Sequence, residues 1–414
     1  MRVFLCGDVM TGRGIDQILR RPSEPTIYEP VVRDARDYVA LAERMHGPID
    51  RGVDGSYVWG DALDLWREYA AGLYVMNLET SVTRSARPWP EKGIHYRMHP
   101  ANAHMLRLPA DAVSVPGSAR TAAGLCYTLA NNHVMDFGRA GLLETLDVLE
   151  DTACGRCGAG RTGEEAGAPF RLEPGGDGAG TTRSDAMAHR AAPGAAVFGV
   201  GLGDSGIPPE WAATPRAGSR KTGAGVGHGD PDTRQSSAGV HLIDRLGRSA
   251  VERETARIAG LRREGELAVV SVHWGGNWGW NVPQAHRAFA HALIDRAGVS
   301  IIHGHSSHHV KCFEVYHGGL ILYGCGDFVT DYEGIPGHDA YRPDLSLMYF
   351  ADIDFGDGSL RALRMVPMRT VGFSLRRAGE PDLQWVARIL NRDGAPFGTR
   401  VEARDGEIRW ITSD

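Results

Sequence analysis

Short apolar runs recur along the chain, and polar residues follow several of them directly. The runs at 3–6, 73–78, 125–130, 267–272, 299–302 and 320–323 contain no charged residue. This pattern is typical of strands that are buried on both faces. A run at 196–201 predicts a further strand. Helices are predicted over 249–263, over 284–297 and over 138–151, where Leu142, Leu143, Leu146 and Leu149 are assigned to one stripe.

The order of these elements predicts an α/β fold. Strands alternate with helices through the first three quarters of the chain, and from residue 346 the pattern alternates as in antiparallel strands. We therefore expect an α/β sandwich in which 1–414 forms a single domain. Residues 155–236 are rich in Gly, Ala, Ser, Thr and Arg, which favours a long loop-rich insertion. Within it, the runs 174–185 and 213–236 are predicted to be loops.

Composition narrows the possible environments and partners. The 414 residues carry a net charge of −6, and no basic stripe indicates a nucleic-acid partner. The apolar run at the N-terminus is too short for a secretory signal, and no window approaches the roughly 18 apolar residues of a membrane span. We therefore expect a cytoplasmic protein without a membrane partner. The six cysteines are expected to be reduced thiols, and the oligomeric state stays open.

The polar residues that follow the predicted strands are of metal-binding types. Open α/β sheets bind ligands at the carboxyl ends of their strands, so these side chains are expected to meet. Imidazole and carboxylate groups bind Zn, Mn and Fe, and a carboxylate can bridge two cations. A set this large favours two divalent metal ions. The candidate residues are Asp8, Glu79, Asn132, His133, Asp136, His273, His305 and His308.

Six segments contain most of the candidate residues: GDVMTGRG at 7–14, NLETSVT at 77–83, LANNHVMDFGRAGLLETLDVL at 129–149, SVHWG at 271–275, GHSSHHV at 304–310 and LYGCGDF at 322–328. These segments resemble the motifs of the CapA / poly-γ-glutamate biosynthesis family, which is similar to the calcineurin-like metallophosphatases. The resemblance implies a four-layered αββα sandwich with a dinuclear centre. In that centre Asp8, His305 and His308 would bind the metals and Glu79 would bridge them. Asn132, His133 and His273 would complete the site.

Two positions depart from the related patterns. Metallophosphatases carry a histidine in the first motif where this chain has Met10. The family often has Gly-Asn-Phe where this chain has Gly326-Asp327-Phe328, which offers one more acid.

Hydrolysis of a phosphoester or acyl bond in a small or carrier-linked metabolite is the first functional hypothesis. Two metals would activate a water for attack. His133 would act as the general acid, with Asp136 orienting its ring. Arg13 and Arg139 are the cations nearest the motifs and are the candidates for binding an anionic substrate.

Two other functions are kept beside hydrolysis. A non-haem diiron monooxygenase would use O2 to hydroxylate a CoA- or carrier-linked intermediate of actinobacterial natural-product biosynthesis. Trp274 and Trp278 would then bind an apolar substrate, although core packing accounts for them equally well. The third hypothesis is an accessory protein of poly-γ-glutamate or capsule biosynthesis.

Overall fold

Two mixed β-sheets form the centre of the protein. The computed structural model describes residues 1–113, 124–173, 194–215 and 237–412. The strands are β1 Arg2–Val9, β2 Leu73–Leu78, β3 Ser81–Val82, β4 Arg97–Met98, β5 Gly124–Thr128, β6 Gly155–Cys157, β7 Ala159–Gly160, β8 Phe170–Leu172, β9 Ala195–Leu202, β10 Gly239–Val240, β11 Leu242–Ile243, β12 Leu267–His273, β13 Ile301–His305, β14 Phe313–Tyr316, β15 Gly319–Leu322, β16 Asp327–Val329, β17 Leu345–Ile353, β18 Leu360–Val371, β19 Ser374–Arg377, β20 Val401–Arg404 and β21 Glu407–Trp410.

Helices connect many of these strands. In the described residues the α-helices span Gly14–Ile18, Arg36–His46, Gly55–Trp59, Ala62–Tyr69, Leu108–Val113, Gly138–Asp151, Gly163–Gly167, Arg248–Leu261, Gln284–Ala297 and Glu380–Gly394. Short 3-10 helices span Pro100–Arg107, Gly203–Ser205, Pro209–Trp211, Asp339–Tyr341 and Ala395–Phe397. No helix within the described ranges is both long and apolar enough to cross a membrane.

The first sheet has the order β20-β21-β18-β17-β1-β2-β5-β6, with β16 paired to β1 and β19 to β18. The second has the order β11-β9-β12-β13-β15-β14, with β8 paired to β9. The neighbours β1 and β2 run parallel, as do β12 and β13. Their carboxyl ends therefore lie at one edge of each sheet.

The two sheets pack face to face, and helices cover both outer faces. Val3 and Leu5 of β1 share one apolar cluster with Val269 of β12 and Ile301 of β13. Phe4, between Val3 and Leu5, points to the opposite face and belongs to the cluster that contains the helices before β2. Alternate residues of β12 pack likewise against the helices Arg248–Leu261 and Gln284–Ala297. These four layers confirm the predicted αββα sandwich.

The predicted elements match the structure closely in the described ranges. The strand at 73–78 and the helices at 138–151 and 284–297 have the predicted bounds, while the strand predicted at 299–302 begins at Ile301. The range 155–236 contributes β6 to β9, and β9 pairs with both β11 and β12. β6, β8 and β9 therefore belong to the two central sheets rather than to added loops, whereas β7 pairs with β10 in a separate two-stranded sheet. The loop prediction for 174–185 lies outside the described residues. Of the loop predicted over 213–236, only 213–215 are described, and they form neither helix nor strand.

Glu254 of the helix Arg248–Leu261 forms an ion pair with Arg257 of the same helix and contacts His241, which precedes β11. Glu254 accepts hydrogen bonds from Arg257 Nε at 3.0 Å and Nη2 at 2.5 Å, and His241 Nε2 lies 3.0 Å from its carboxylate. Burial alone would raise the pKa of Glu254, but the bonds from His241 and Arg257 outweigh it and lower that pKa to about 2.

A carboxylate whose pKa is lowered by folding stabilises the protein above its unfolded pKa, and this contribution disappears as the pH falls through the folded pKa. We expect Glu254→Gln to remove on the order of 2–3 kcal/mol of the pH dependence of unfolding between about pH 4.5 and 2. Urea unfolding at several pH values measures this difference. Glu252→Gln, at an exposed position of the same helix, is the control, and equal pH profiles for both variants would contradict the expectation.

Candidate functional site

The strand ends bring the predicted side chains to one place between the sheets. Asp8 on β1 lies opposite Asn77 of β2 and Asp327 of β16. His273 at the end of β12 lies opposite His305 of β13. Gly7 allows this approach, because a Cβ there would lie 1.7 Å from the carbonyl oxygen of Gly326.

Asp8, His273 and His305 form a compact group that fits a divalent cation. One ligand atom from each residue lies within 4.8 Å of the others, and all three side chains are buried. The Nδ1 atoms of the two histidines are 2.8 Å apart, and His305 Nδ1 is 3.6 Å from Asp8 Oδ1. Ligand atoms bound to one metal at ~2.1 Å are themselves separated by ~3.0–3.4 Å. The separations of 2.8 and 3.6 Å lie just below and just above this range, so small side-chain shifts would bring the group to the spacing of metal ligands.

The protonation states of His273 and His305 also suit a bound cation. Burial is the largest cause that lowers the pKa of both His273 and His305 well below the ordinary value, so both rings are neutral. His273 Nε2 lies 3.0 Å from Asn132 Oδ1, an oxygen that only accepts hydrogen bonds. Nε2 therefore carries the proton of His273, and Nδ1 presents a lone pair to His305. A cation between the rings would bind that lone pair.

Two carboxylate oxygens beside this group lack a hydrogen-bond donor among the described residues. They are Glu79 Oε2 and Asp327 Oδ2, and both are buried. The pKa of Asp8 is raised to about 7, and the largest cause is burial, followed by the negative charge of the neighbouring Asp327. The pKa of Glu79 is raised well above its ordinary value, and the largest cause is again burial, followed by the charge of Asp8. Unpaired buried carboxylates are costly, and a bound cation removes that cost.

A second group contains His133, Asp136 and Lys92. His133 Nδ1 lies 2.7 Å from Asp136 Oδ2, and its Nε2 lies 3.8 Å from Glu79 Oε1. Lys92 Nζ donates to Asp136 Oδ1 at 2.5 Å and lies 2.9 Å from His133 Nδ1. Burial, the largest cause, lowers the pKa of His133 to about 4. The ring is therefore neutral near pH 7, with Asp136 holding its Nδ1 proton and Nε2 directed at Glu79.

A cavity of about 300 Å³ opens onto the second group. Its wall includes Glu79, Lys92, Asn132, His133, Ser306, His308 and Tyr332. Asn132 and Ser306 of this wall contact His273 and Asp8 of the three-residue group, which lies behind them. His308 Nδ1 bonds Asp327 Oδ1 at 2.8 Å, and its Nε2 lies 3.5 Å from the Tyr332 hydroxyl. Burial would lower the pKa of His308, but the charge of Asp327 outweighs burial and raises it. Glu79 and His308 thus lie beside the three-residue group rather than in it, and a second cation stays a prediction.

The two arginines predicted to bind substrate have other partners in the structure. Arg13 is buried, with ion pairs to Asp331 at 2.5 Å and to Glu29 at 2.8 Å. Arg139 donates to the carbonyl oxygens of Ala238 and Glu210 at 3.2 and 2.7 Å. Neither side chain lines the cavity of about 300 Å³, because these bonds turn both away from it.

The two tryptophans differ from each other. Trp274 is 3% exposed, donates to the Tyr323 carbonyl at 3.1 Å and stacks on His286, so packing accounts for it. Trp278 is half-buried, stacks on His338 at 3.8 Å and lies 5.5 Å from the His308 ring. Trp278 therefore borders the site, whereas Trp274 belongs to the core.

Several residues at the site were not singled out from the sequence. Asn77 Nδ2 donates to Asp8 Oδ1 at 2.8 Å, and the Ser306 amide donates to Asp8 Oδ2 at 3.1 Å. Lys92 and Tyr332 line the cavity. Asn77 and Ser306 lie inside motifs that were recognised, so their position was a usable signal. Lys92 and Tyr332 stand in irregular segments, where no periodicity marks them.

Comparisons with known proteins agree with this architecture. The family model described as bacterial capsule synthesis protein PGA_cap matches residues 2–332. The chain is 38% identical over 408 residues to the probable polyglutamine synthesis accessory protein of Mycobacterium tuberculosis, strain H37Rv. The aligned residues make up 98% of this chain and 94% of that relative. It is 41% identical over 66 residues, 16% of each chain, to the capsule biosynthesis protein CapA of Bacillus anthracis. With a match across this length, the chain belongs to the bacterial capsule synthesis protein PGA_cap family.

Proposed function

We propose that this chain is a metal-dependent accessory protein in the synthesis of a poly-γ-glutamate or capsule polymer. The observation that carries the proposal is its similarity, over 98% of the chain, to a relative named as a polyglutamine synthesis accessory protein. The third hypothesis from the sequence is thereby preferred to small-molecule hydrolysis. The partners would be the polymer, or its growing end, and the other proteins of the synthesis system.

The chemistry of the cavity suits an anionic polymer end. Lys92 places one positive charge in the wall, and Asp8, His273 and His305 would hold a cation behind Asn132 and Ser306 of that wall. A divalent cation bound there would neutralise and polarise a carboxylate or phosphate oxygen. Asn132 and Ser306 line the same cavity and can hydrogen-bond a neighbouring amide.

Complementation of a deletion strain tests both parts of the proposal. The gene for this chain is deleted in its host, and wild type, His273→Ala or His317→Ala is returned. Polymer is measured as glutamate and glutamine in hydrolysates of purified cell-wall material. We expect wild type and His317→Ala to restore the polymer and His273→Ala to fail. An unchanged polymer level after deletion would reject the polymer role, and restoration by His273→Ala would reject the metal dependence.

Hydrolysis is the second candidate function, and two divalent ions would serve it. The observation that favours it is the pair His133 and Asp136, in which Asp136 holds Nδ1 and leaves Nε2 directed at Glu79 and the cavity. In this geometry a neutral His133 would accept a proton at Nε2, so its proposed role is that of a general base instead of the general acid expected from the sequence. Turnover of bis(p-nitrophenyl) phosphate by metal-loaded protein, lost in His133→Ala, tests this candidate, and no turnover with Zn²⁺, Mn²⁺ or Fe²⁺ would reject it for phosphodiesters.

The diiron monooxygenase hypothesis gains nothing from the relatives, whose names refer to capsule or polyglutamine synthesis. Core packing of Trp274 also removes one of the two residues on which it depended.

A further inference from the structure

We propose that Ser271 and His303 are positioning residues that hold His305 in the tautomer whose Nδ1 is free to bind a divalent cation. The inference rests on the metal site of the proposed function. It concerns two residues behind the cavity, one on β12 and one on β13, neither of which belongs to the group of Asp8, His273 and His305.

A continuous line of hydrogen bonds joins the backbone of β1 to the metal group. His303 Nε2 lies 2.6 Å from the carbonyl oxygen of Cys6. His303 Nδ1 lies 3.0 Å from Ser271 Oγ, and the same oxygen lies 2.8 Å from His305 Nε2. All three side chains are at most 1% exposed. Water therefore does not compete for these bonds.

The carbonyl at one end determines every proton along this line. A backbone carbonyl only accepts, so His303 must carry its proton on Nε2. A neutral imidazole then accepts at Nδ1, and the Ser271 hydroxyl must donate its single proton to that nitrogen. Ser271 Oγ has only lone pairs left for His305. The proton of His305 is therefore on Nε2, and its Nδ1 faces His273 with a lone pair.

Thr128 does not change this assignment. Its Oγ1 lies 3.1 Å from Ser271 Oγ, but it has two acceptors of its own, Asn77 Oδ1 at 3.3 Å and the Met76 carbonyl at 3.4 Å. Thr128 can donate to either acceptor, so it does not require the proton of Ser271.

The opposite tautomer of His305 would block the metal group. With the proton on Nδ1, His305 would donate to His273 Nδ1 at 2.8 Å, and both nitrogens would be lost as ligands. Ser271 would then donate to His305 and turn a lone pair to the lone pair of His303 Nδ1. The line from Cys6 makes this arrangement unfavourable. Partners that orient a histidine ligand in this way typically contribute 10–100-fold to metal affinity.

Zinc affinity measures the contribution directly. Chelator-dialysed protein is titrated with Zn²⁺ alone against a competing chelator, and the thermal midpoint of the metal-free form reports folding. We expect Ser271→Ala to raise the Zn²⁺ Kd by about 10–100-fold. His303→Leu should act in the same direction, and the double variant should lose no more than the larger single loss. Ser346→Ala, which removes a buried hydroxyl without a hydrogen-bond partner among the described residues, is the matched control.

The tautomers of the wild-type protein provide a test that needs no variant. Long-range ¹H–¹⁵N spectra of the zinc-loaded protein are expected to show protonated Nε2 on both His303 and His305. A proton on Nδ1 of either ring, or a Ser271→Ala Kd within twofold of wild type, would overturn the inference. Wild-type protein that binds no Zn²⁺ would overturn it together with the metal site of the proposed function. Normal Zn²⁺ binding without any polymer phenotype would reject only the polymer role.

Discussion

His273→Ala is expected to lose tight binding of a divalent metal, with an affinity at least 100-fold below that of wild type. His273 supplies Nδ1 to the three-residue group and, through Nε2 and Asn132, connects this group to the loop after β5. Removing it leaves Asp8 and His305 as an incomplete ligand set, and incomplete sets bind divalent ions weakly. Elemental mass spectrometry of the purified variants, followed by Zn²⁺ titration, measures the loss.

Two further variants complete this test. His317→Ala is the control, because His317 is an exposed histidine that pairs with Asp295 outside the site. It should bind metal as wild type does. Glu79→Ala should lose at least one metal equivalent, since Glu79 Oε1 is 3.8 Å from His133 Nε2 and its buried Oε2 has no hydrogen-bond partner among the described residues. Two equivalents retained in Glu79→Ala would refute a bridging role, and unchanged binding in His273→Ala would refute the cation site itself.

Asp331→Ala is expected to lower the free energy of unfolding by 3–5 kcal/mol. Asp331 accepts from Arg13 Nε at 3.1 Å, from Arg13 Nη2 at 2.5 Å and from the Gly14 amide at 2.9 Å. Without this carboxylate, Arg13 stays buried with Glu29 as its remaining carboxylate partner. Removing one member of a buried ion pair costs about this much, because the other charge loses its compensation.

The contrast with an exposed pair makes the test specific. Asp64 forms an ion pair with Arg67, and the two side chains are 85% and 56% exposed. Asp64→Ala should change the free energy of unfolding by less than about 1 kcal/mol. Urea unfolding at pH 7 measures both variants, and equal losses would contradict the argument. The Arg13 guanidinium also lies 4.5 Å from the Tyr96 ring and 5.5 Å from the Tyr332 ring, so its displacement would disturb the cavity wall.

The departure at Asp327 has a structural consequence. A family pattern with asparagine at this position would place a neutral amide beside Asp8, whereas this chain places a third acid there, paired with His308. The extra negative charge increases the need for a compensating cation. Asp327 and His308 therefore belong electrostatically with Asp8 and Glu79, even though only Asp8 of these four has a ligand atom within the three-residue group.

The sequence by itself determined the central strands and the types of residue that follow them. Uncharged apolar runs can only be stable when both faces are covered, so 73–78 and 267–272 predicted central strands correctly. The same runs end at Glu79 and His273, and the carboxyl ends of parallel strands share an edge of the sheet. Candidate ligands could therefore be named from the order of residues alone.

Only the tertiary structure decided which of these residues meet. The sequence alone does not show that β12 pairs with β13. That pairing places His273 Nδ1 2.8 Å from His305 Nδ1. Nor does it show that Arg13 is buried against Asp331, 318 residues away. Lys92 bonds Asp136 from a segment that is neither helix nor strand. In such a segment no regular alternation of apolar and polar residues indicates which side chains point inward. Strand pairing, burial and proton placement are long-range properties, because each depends on atoms that the fold alone brings together.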